Sequence, residues 1–219
     1  MKGFTKRPLP GLLLTLAALT LTLPGPAIAA QSDIVALVQA QCAVCHGERG
    51  QSAHPEFPQL AGQHAVYLRK QLQDFQSGAR RHEAMNSIAR ALSADQVQQL
   101  ADHFARQRAQ AQTADDELLV QLGRYIYERG NLYQQVPACK SCHSSTGVGN
   151  ERLPRLAGQH PKYIENQLRS FQSRQRRNDS GAMAFVTQGL SELELRGVSA
   201  YVATLDPVVR PAATRRQNP

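Results

Sequence analysis

The 219-residue chain carries a formal net charge of +8, with four cysteines and 42% hydrophobic residues. Past its leader, no stretch is apolar over the roughly 20 residues a membrane span needs, which excludes an integral membrane bundle and leaves a soluble or loosely membrane-associated chain. The basic balance comes with no nucleic-acid-binding motif, and three of its charges sit in the leader, so nucleic acid is not an expected partner.

In chain order, the first element is an export signal over residues 1–29. Lys2, Lys6 and Arg7 form its basic start and Leu12 to Leu23 its apolar stretch; Pro24-Gly25-Pro26 breaks it before the small-residue cleavage site Ala27-Ile28-Ala29. The apolar run is shorter than a spanning helix, which favours removal over retention as an anchor and places the mature chain in the periplasm. The remainder suits two domains of roughly 90 residues, each with a modest core.

Ile34 to Gln41 reads as a helix leading into Cys42-Ala43-Val44-Cys45-His46. A helix follows with Leu68, Leu72 and Phe75 at i, i+4 and i+7. After Met85, Ser93-x-x-Gln96 has the form of a capping box opening a last helix with Val97, Leu100, Ala101 and Phe104. Arg106 to Asp116 is polar and rich in Gln and Ala; the linker is assigned to 108–116. The second unit keeps the order: a helix over Glu117 to Arg129, Cys139-Lys140-Ser141-Cys142-His143, a helix with Ile164, Leu168 and Phe171, then Met183, and Ser191-x-x-Glu194 before a helix with Leu195, Val198, Val202 and Leu205. The expected domains are 30–107 and 117–208, with 209–219 as a frayed tail. No strand pattern appears, so the fold class is all-α.

The two units are duplicates. Pro58 to Ser77 aligns without gaps on Pro154 to Ser173, and both carry Leu-Ala-Gly-Gln-His. A tandem duplication explains this; two units are too few for a solenoid.

Two cysteines separated by two residues, with histidine next, form the attachment pattern of haem c. The sulfurs add across the two vinyl groups of one haem edge, and the adjacent imidazole binds the iron. Each unit also has one methionine, Met85 or Met183, whose soft thioether suits the opposite face. A Cys₄ zinc site needs its pairs about 15–20 residues apart; Cys45 and Cys139 are much further apart, and the histidines would go unexplained. A thioredoxin-like pair needs a βαβ context, and two disulfides do not account for histidine twice. The reading is two tandem cytochrome c-like domains, each wrapped around one covalently bound haem, with Cys42, Cys45, Cys139 and Cys142 all used in attachment.

The paired haem motifs, the doubled Pro-x-Leu-Ala-Gly-Gln-His-x-x-Tyr block, Gln-Leu-x-x-Phe and a methionine on the loop before the last helix together resemble the cytochrome c4 family. Its members are dihaem periplasmic electron carriers built from two class I cytochrome c domains. The resemblance covers essentially the whole mature chain. It implies His46 and His143 as proximal iron ligands and Met85 and Met183 as distal ones. It implies that the carbonyls of Pro58 and Pro154 accept from the other imidazole nitrogen, and that Leu60 and Leu156 wall the haems. Tyr67 and Tyr163 either hydrogen-bond near a haem edge or pack with a solvated hydroxyl. The two haems would face each other across the domain interface. The implied function is electron transfer from a quinol-oxidising cytochrome bc-type complex to a terminal oxidase, by a monomer.

His82 competes with Met85 as a sixth ligand, but the second unit has Asp179, followed by Ser180, at the corresponding place before Met183, so the repeat does not support it. His64 and His160 read as turn or helix-start residues. Ser144 follows the second motif where Gly47 follows the first, so a different local turn is expected there. Arg80-Arg81, Arg174 to Arg177 and Arg215-Arg216 read as solvated charge able to steer an acidic partner. The competing class is a dihaem enzyme, a peroxidase or a thiosulfate-oxidising cytochrome, which needs an open iron site; a methionine in each unit argues against it.

Overall fold

The computed structural model describes residues 33–208, so the export signal, the tail and the Arg215-Arg216 pair lie outside the described residues. The described chain is helical, and its one β feature is an isolated bridge between Asn131 and Val136. No helix among the described residues is long and apolar enough to cross a membrane.

Two clusters of buried apolar side chains form the interior. The first gathers Ile34, Val38, Leu68, Leu92, Val97, Leu100, Ala101 and Phe104. The second gathers Ile126, Tyr127, Val136, Ile164, Leu168, Leu190, Leu195, Val198 and Val202. In each unit a central helix, Ala65–Ser77 or Pro161–Gln172, turns the first two positions of its i, i+4, i+7 stripe, Leu68 and Leu72 or Ile164 and Leu168, to the cluster, and buries the third, Phe75 or Phe171. The last helices, Ala94–Ala105 and Glu192–Thr204, both start in closed capping boxes. The Ser93 hydroxyl accepts from the Gln96 N–H at 3.2 Å, while the Gln96 side chain accepts from the Ser93 N–H at 2.9 Å.

Residues 108–114 are non-helical and lie fixed against both units. Ala109 is buried, the carbonyl of Arg108 accepts from Gln51 at 2.8 Å, and the N–H of Gln112 donates to Ala203 at 2.8 Å. The duplicated glycines make room for this strap. A Cβ on Gly62 would meet Ala109 at 3.0 Å, and one on Gly158 would stand 2.3 Å from the Gln110 carbonyl oxygen.

The units differ in how the chain enters the haem motif. In the first, the helix passes through a π turn, Val38–Cys42, straight into Ala43–His46. Such wide turns recur at functional sites. In the second, Glu117–Arg129 ends at Gly130, and a loop with a 3₁₀ turn at Leu132–Gln134 precedes Lys140–His143. The bridge between Asn131 and Val136 closes that loop.

Candidate haem-binding sites

Each motif puts its two cysteines on one short turn, with a buried histidine at its end. His46 Nδ1 lies 3.1 Å from the Pro58 carbonyl oxygen, and His143 Nδ1 lies 3.1 Å from that of Pro154. A carbonyl only accepts, so each Nδ1 carries the proton and each Nε2 keeps its lone pair. Burial pushes both imidazoles below their ordinary pKa, against the proline carbonyls, which favour the protonated form; His82 adds to the lowering at His46. The result is two neutral imidazoles, oriented by a second partner, with Nε2 free to ligate a metal. Burial also pushes the Cys42 and Cys139 thiols up to about 11.

The expected difference in the turn after the second motif is not found. Ser144 takes φ 66° and ψ 164°, close to the 73° and 153° of Gly47. A serine in this region is uncommon. Its carbonyl accepts from the buried Tyr127 hydroxyl at 2.7 Å, which holds the turn from inside.

Neither methionine sits on a loop. Met85 lies in the first turn of the Glu83–Arg90 helix and Met183 in the first turn of Ala182–Thr187. A side chain holds the backbone of each: His82 Nδ1 accepts from the Met85 N–H at 3.3 Å, and Asp179 Oδ2 accepts from the Met183 N–H at 2.6 Å. His82 thus acts as the N-cap of the methionine's helix; in the second unit Gly181 holds the N-cap position, and Asp179, two residues before it, supplies the side-chain acceptor. Both methionines are half-buried; Met183 and Leu156 pack on the second cluster, and Leu60 packs on the first. Per unit the donor set is two thiols, one imidazole with a free Nε2 and one thioether, which fits haem c.

The polar residues of the duplicated block bind across the units, a role that sequence reasoning missed. Gln63 accepts from the Arg155 N–H at 2.9 Å and donates to its carbonyl at 3.0 Å. Gln159 does the same to Gln59, at 2.8 and 3.0 Å. His64 Nε2 donates to the Val148 carbonyl at 2.7 Å, and His160 Nε2 lies 2.9 Å from the Ser52 carbonyl oxygen and 2.8 Å from Gln59 Nε2. Both histidines do start helices, as expected, but their rings serve the other unit.

The tyrosine hydroxyls are not solvated. Arg176 donates to Tyr67 at 3.1 Å, and Arg80 donates to Tyr163 at 3.0 Å. Both guanidiniums also donate to Gln71 and to Gln167, and each stacks on a phenylalanine of its own unit, Phe75 or Phe171. Burial works to raise the Tyr163 pKa, but the two guanidiniums outweigh it, and the hydroxyl sits below its ordinary value. Arg80 and Arg176 are therefore interface residues, not solvated surface charge. Arg155 is buried too, its guanidinium brought down to about 10 by burial. It donates to the carbonyls of Ala61 at 2.8 Å and Gly62 at 3.3 Å, and to that of Ala157.

A family model described as cytochrome c matches residues 32–107. The chain is 36% identical over 198 residues to cytochrome c4 of Pseudomonas aeruginosa, covering 88% of this chain and 98% of that protein. It is 35% identical over 169 residues to a thiosulfate dehydrogenase electron acceptor of Stutzerimonas stutzeri, covering 75% of this chain and 78% of that protein. The crystal structure of reduced recombinant cytochrome c4 from Pseudomonas stutzeri superposes with a TM-score of 0.75 at 34% identity, over 80% of this chain and 97% of that one. A thiosulfate dehydrogenase from Marichromatium purpuratum superposes with a TM-score of 0.72 at 27% identity, over 80% of this chain and 40% of that one.

Proposed function

The chain belongs to the cytochrome c4 family, and we propose that it shuttles single electrons in the periplasm from a quinol-oxidising cytochrome bc-type complex to a terminal oxidase, without catalysing a reaction of its own. Two haem c groups supply the redox chemistry, each iron cycling between ferric and ferrous. Residues 30–107 and 117–208 are the two haem domains, joined by 108–116, after removal of a signal over 1–29. Cys42 with Cys45, and Cys139 with Cys142, hold the haems covalently. His46 and His143 would hold the irons through Nε2, and Met85 and Met183 through sulfur.

One observation carries the reading. Each unit pairs a proline-oriented imidazole with a methionine whose backbone is held by a neighbouring side chain. With an imidazole and a thioether both holding it, each iron would offer no open position to substrate, which suits a carrier. The relative named as a thiosulfate dehydrogenase electron acceptor favours a second donor for the same carrier: an enzyme that oxidises sulfur compounds.

The test is optical. The ferric protein is expected to show the weak long-wavelength sulfur-to-iron band at two-haem intensity, and the ferrous protein is expected not to bind carbon monoxide. A band at half intensity, or one haem that takes carbon monoxide, would replace this reading with a dihaem enzyme, a peroxidase or a thiosulfate-oxidising cytochrome.

A further inference from the structure

On the second unit, two unpaired arginines frame an exposed phenylalanine on the helix that bears Met183. Resting on the carrier reading, we propose that this surface, formed by Arg174, Arg177 and Phe185, docks an acidic electron-transfer protein and makes the second haem its port.

The groove has a volume of about 250 Å³ and also draws on Gly181, Ala184 and Gln188. Phe185 is 58% exposed and stands two residues beyond Met183. Arg174 and Arg177 are exposed, and among the described residues neither guanidinium has a hydrogen-bond or ion-pair partner. The single acidic residue between 173 and 190, Asp179, faces inward and accepts from the Gly181 and Met183 N–H groups at 3.1 and 2.6 Å. The positive charge on this rim is therefore uncompensated. An apolar centre with a charged rim is the anatomy of a transient interface, and a cationic rim selects an acidic partner.

The duplication supplies an internal control. Gly78 ends the central helix of the first unit at φ +80°, and the aligned residue of the second is Arg174 at φ +59°. Glycine adopts that conformation freely; an arginine does so against its steric preference. The exposed Arg174 side chain contributes nothing to the interior in return. Backbone strain of this kind points to function. Two residues after Met85 the first unit has Ser87 in place of Phe185. The first unit thus lacks both the ring and one of the cations.

The experiment mixes the reduced, haem-loaded protein with an oxidised acidic blue-copper protein in a stopped-flow, across a range of salt. Arg174→Gly and Phe185→Ser install the residues of the first unit, and Arg177→Gln removes the second cation. The wild-type rate constant is expected to fall with salt. R174G/R177Q should lower it about tenfold at low salt and flatten its salt dependence. F185S should lower it at every salt, and Arg81→Gln on the first unit should leave it unchanged. Visible spectra and unfolding midpoints serve to confirm that the variants fold and carry haem. Rates that R174G/R177Q and F185S leave at the wild-type value overturn the docking surface while the carrier reading stands. A reduced wild-type protein that passes electrons to no protein oxidant overturns both. Binding of wild type, but not R174G/R177Q, to phosphatidylglycerol vesicles, with no effect on the copper reaction, assigns the surface to a membrane and overturns the protein partner.

Discussion

Gln63 in the first unit holds both backbone polar groups of Arg155 in the second, accepting from its N–H at 2.9 Å and donating to its carbonyl at 3.0 Å. Arg155 directly follows Pro154, whose carbonyl orients His143. Gln159 repeats the arrangement on Gln59, which follows Pro58. The domain interface is thus built one residue away from each histidine-orienting bond. Gln63→Leu leaves a buried N–H and a buried carbonyl without partners, at about 1–3 kcal/mol each. The expected result is a denaturant curve that separates into two transitions, one for each unit, where the wild type shows one. A variant that still unfolds in one step at the wild-type midpoint would mean that the interface does not couple the units.

Inside the second unit the first and last helices meet at backbone contact. A Cβ on Gly123 would stand 1.9 Å from the Gly197 carbonyl oxygen, whereas one on Gly197 would approach nothing nearer than 3.0 Å. Gly123→Ala must push two helices apart beside the Tyr127 and Tyr201 rings, and about 3 kcal/mol of destabilisation is expected. Gly197→Ala should cost distinctly less. Equal losses for the two variants in urea unfolding would refute this account of the crossing.

The parts set by local rules were legible from the sequence. The helix over Glu117–Arg129 and both capping boxes follow from side chains a few residues apart, and haem attachment is written in five contiguous residues. The cross-unit contacts were not legible. Tyr67 and Tyr163 are ordinary surface types on helices, Arg80 and Arg176 ordinary charges on the loops that follow those helices, and nothing local says that another unit lies opposite them. One signal was available: Gln and His recur in both blocks at positions that haem ligation does not require. The strap at 108–114 read as a spacer because its composition is polar, yet backbone groups and a single buried methyl fix it. The methionines read as loop residues because their helices are only eight and six residues long, too short for a periodic pattern.

Asp179 accepts from the Met183 N–H at 2.6 Å, while His82 accepts from the Met85 N–H at 3.3 Å. The carboxylate is the shorter and charge-assisted partner, so the second methionine depends more on its acceptor. In the haem-loaded protein, Asp179→Ala is expected to remove half of the sulfur-to-iron band at a lower temperature than in wild type, reflecting about 1–3 kcal/mol of lost charge-assisted hydrogen bonding to the Gly181 and Met183 N–H groups. His82→Ala should shift the other half less. A band in Asp179→Ala that persists to the wild-type temperature would show that the carboxylate does not position Met183.

The two capping boxes differ in charge, and pH separates them. Burial works to raise the Glu194 carboxyl; the Ser191 N–H, the Asn131 amide and the Ser191 hydroxyl more than offset it, so Glu194 titrates below its ordinary value near 4.5. A carboxyl that is more acidic folded than unfolded adds stability above its unfolded pKa and loses that contribution as pH falls through its folded value. Gln96 fills the same place in the first unit with no charge to lose. Glu194→Gln should therefore be less stable than wild type at pH 7, because a single amide oxygen cannot serve both the Ser191 N–H at 2.8 Å and Asn131 at 2.7 Å. As pH falls below about 4.5, where the unfolded carboxyl protonates, the wild type should lose stability faster and the two melting temperatures should converge. Thermal melts between pH 7 and pH 3 measure this directly. A gap that stays constant over that range would mean that the charge on Glu194 contributes nothing, and that shape and hydrogen bonding alone make the box.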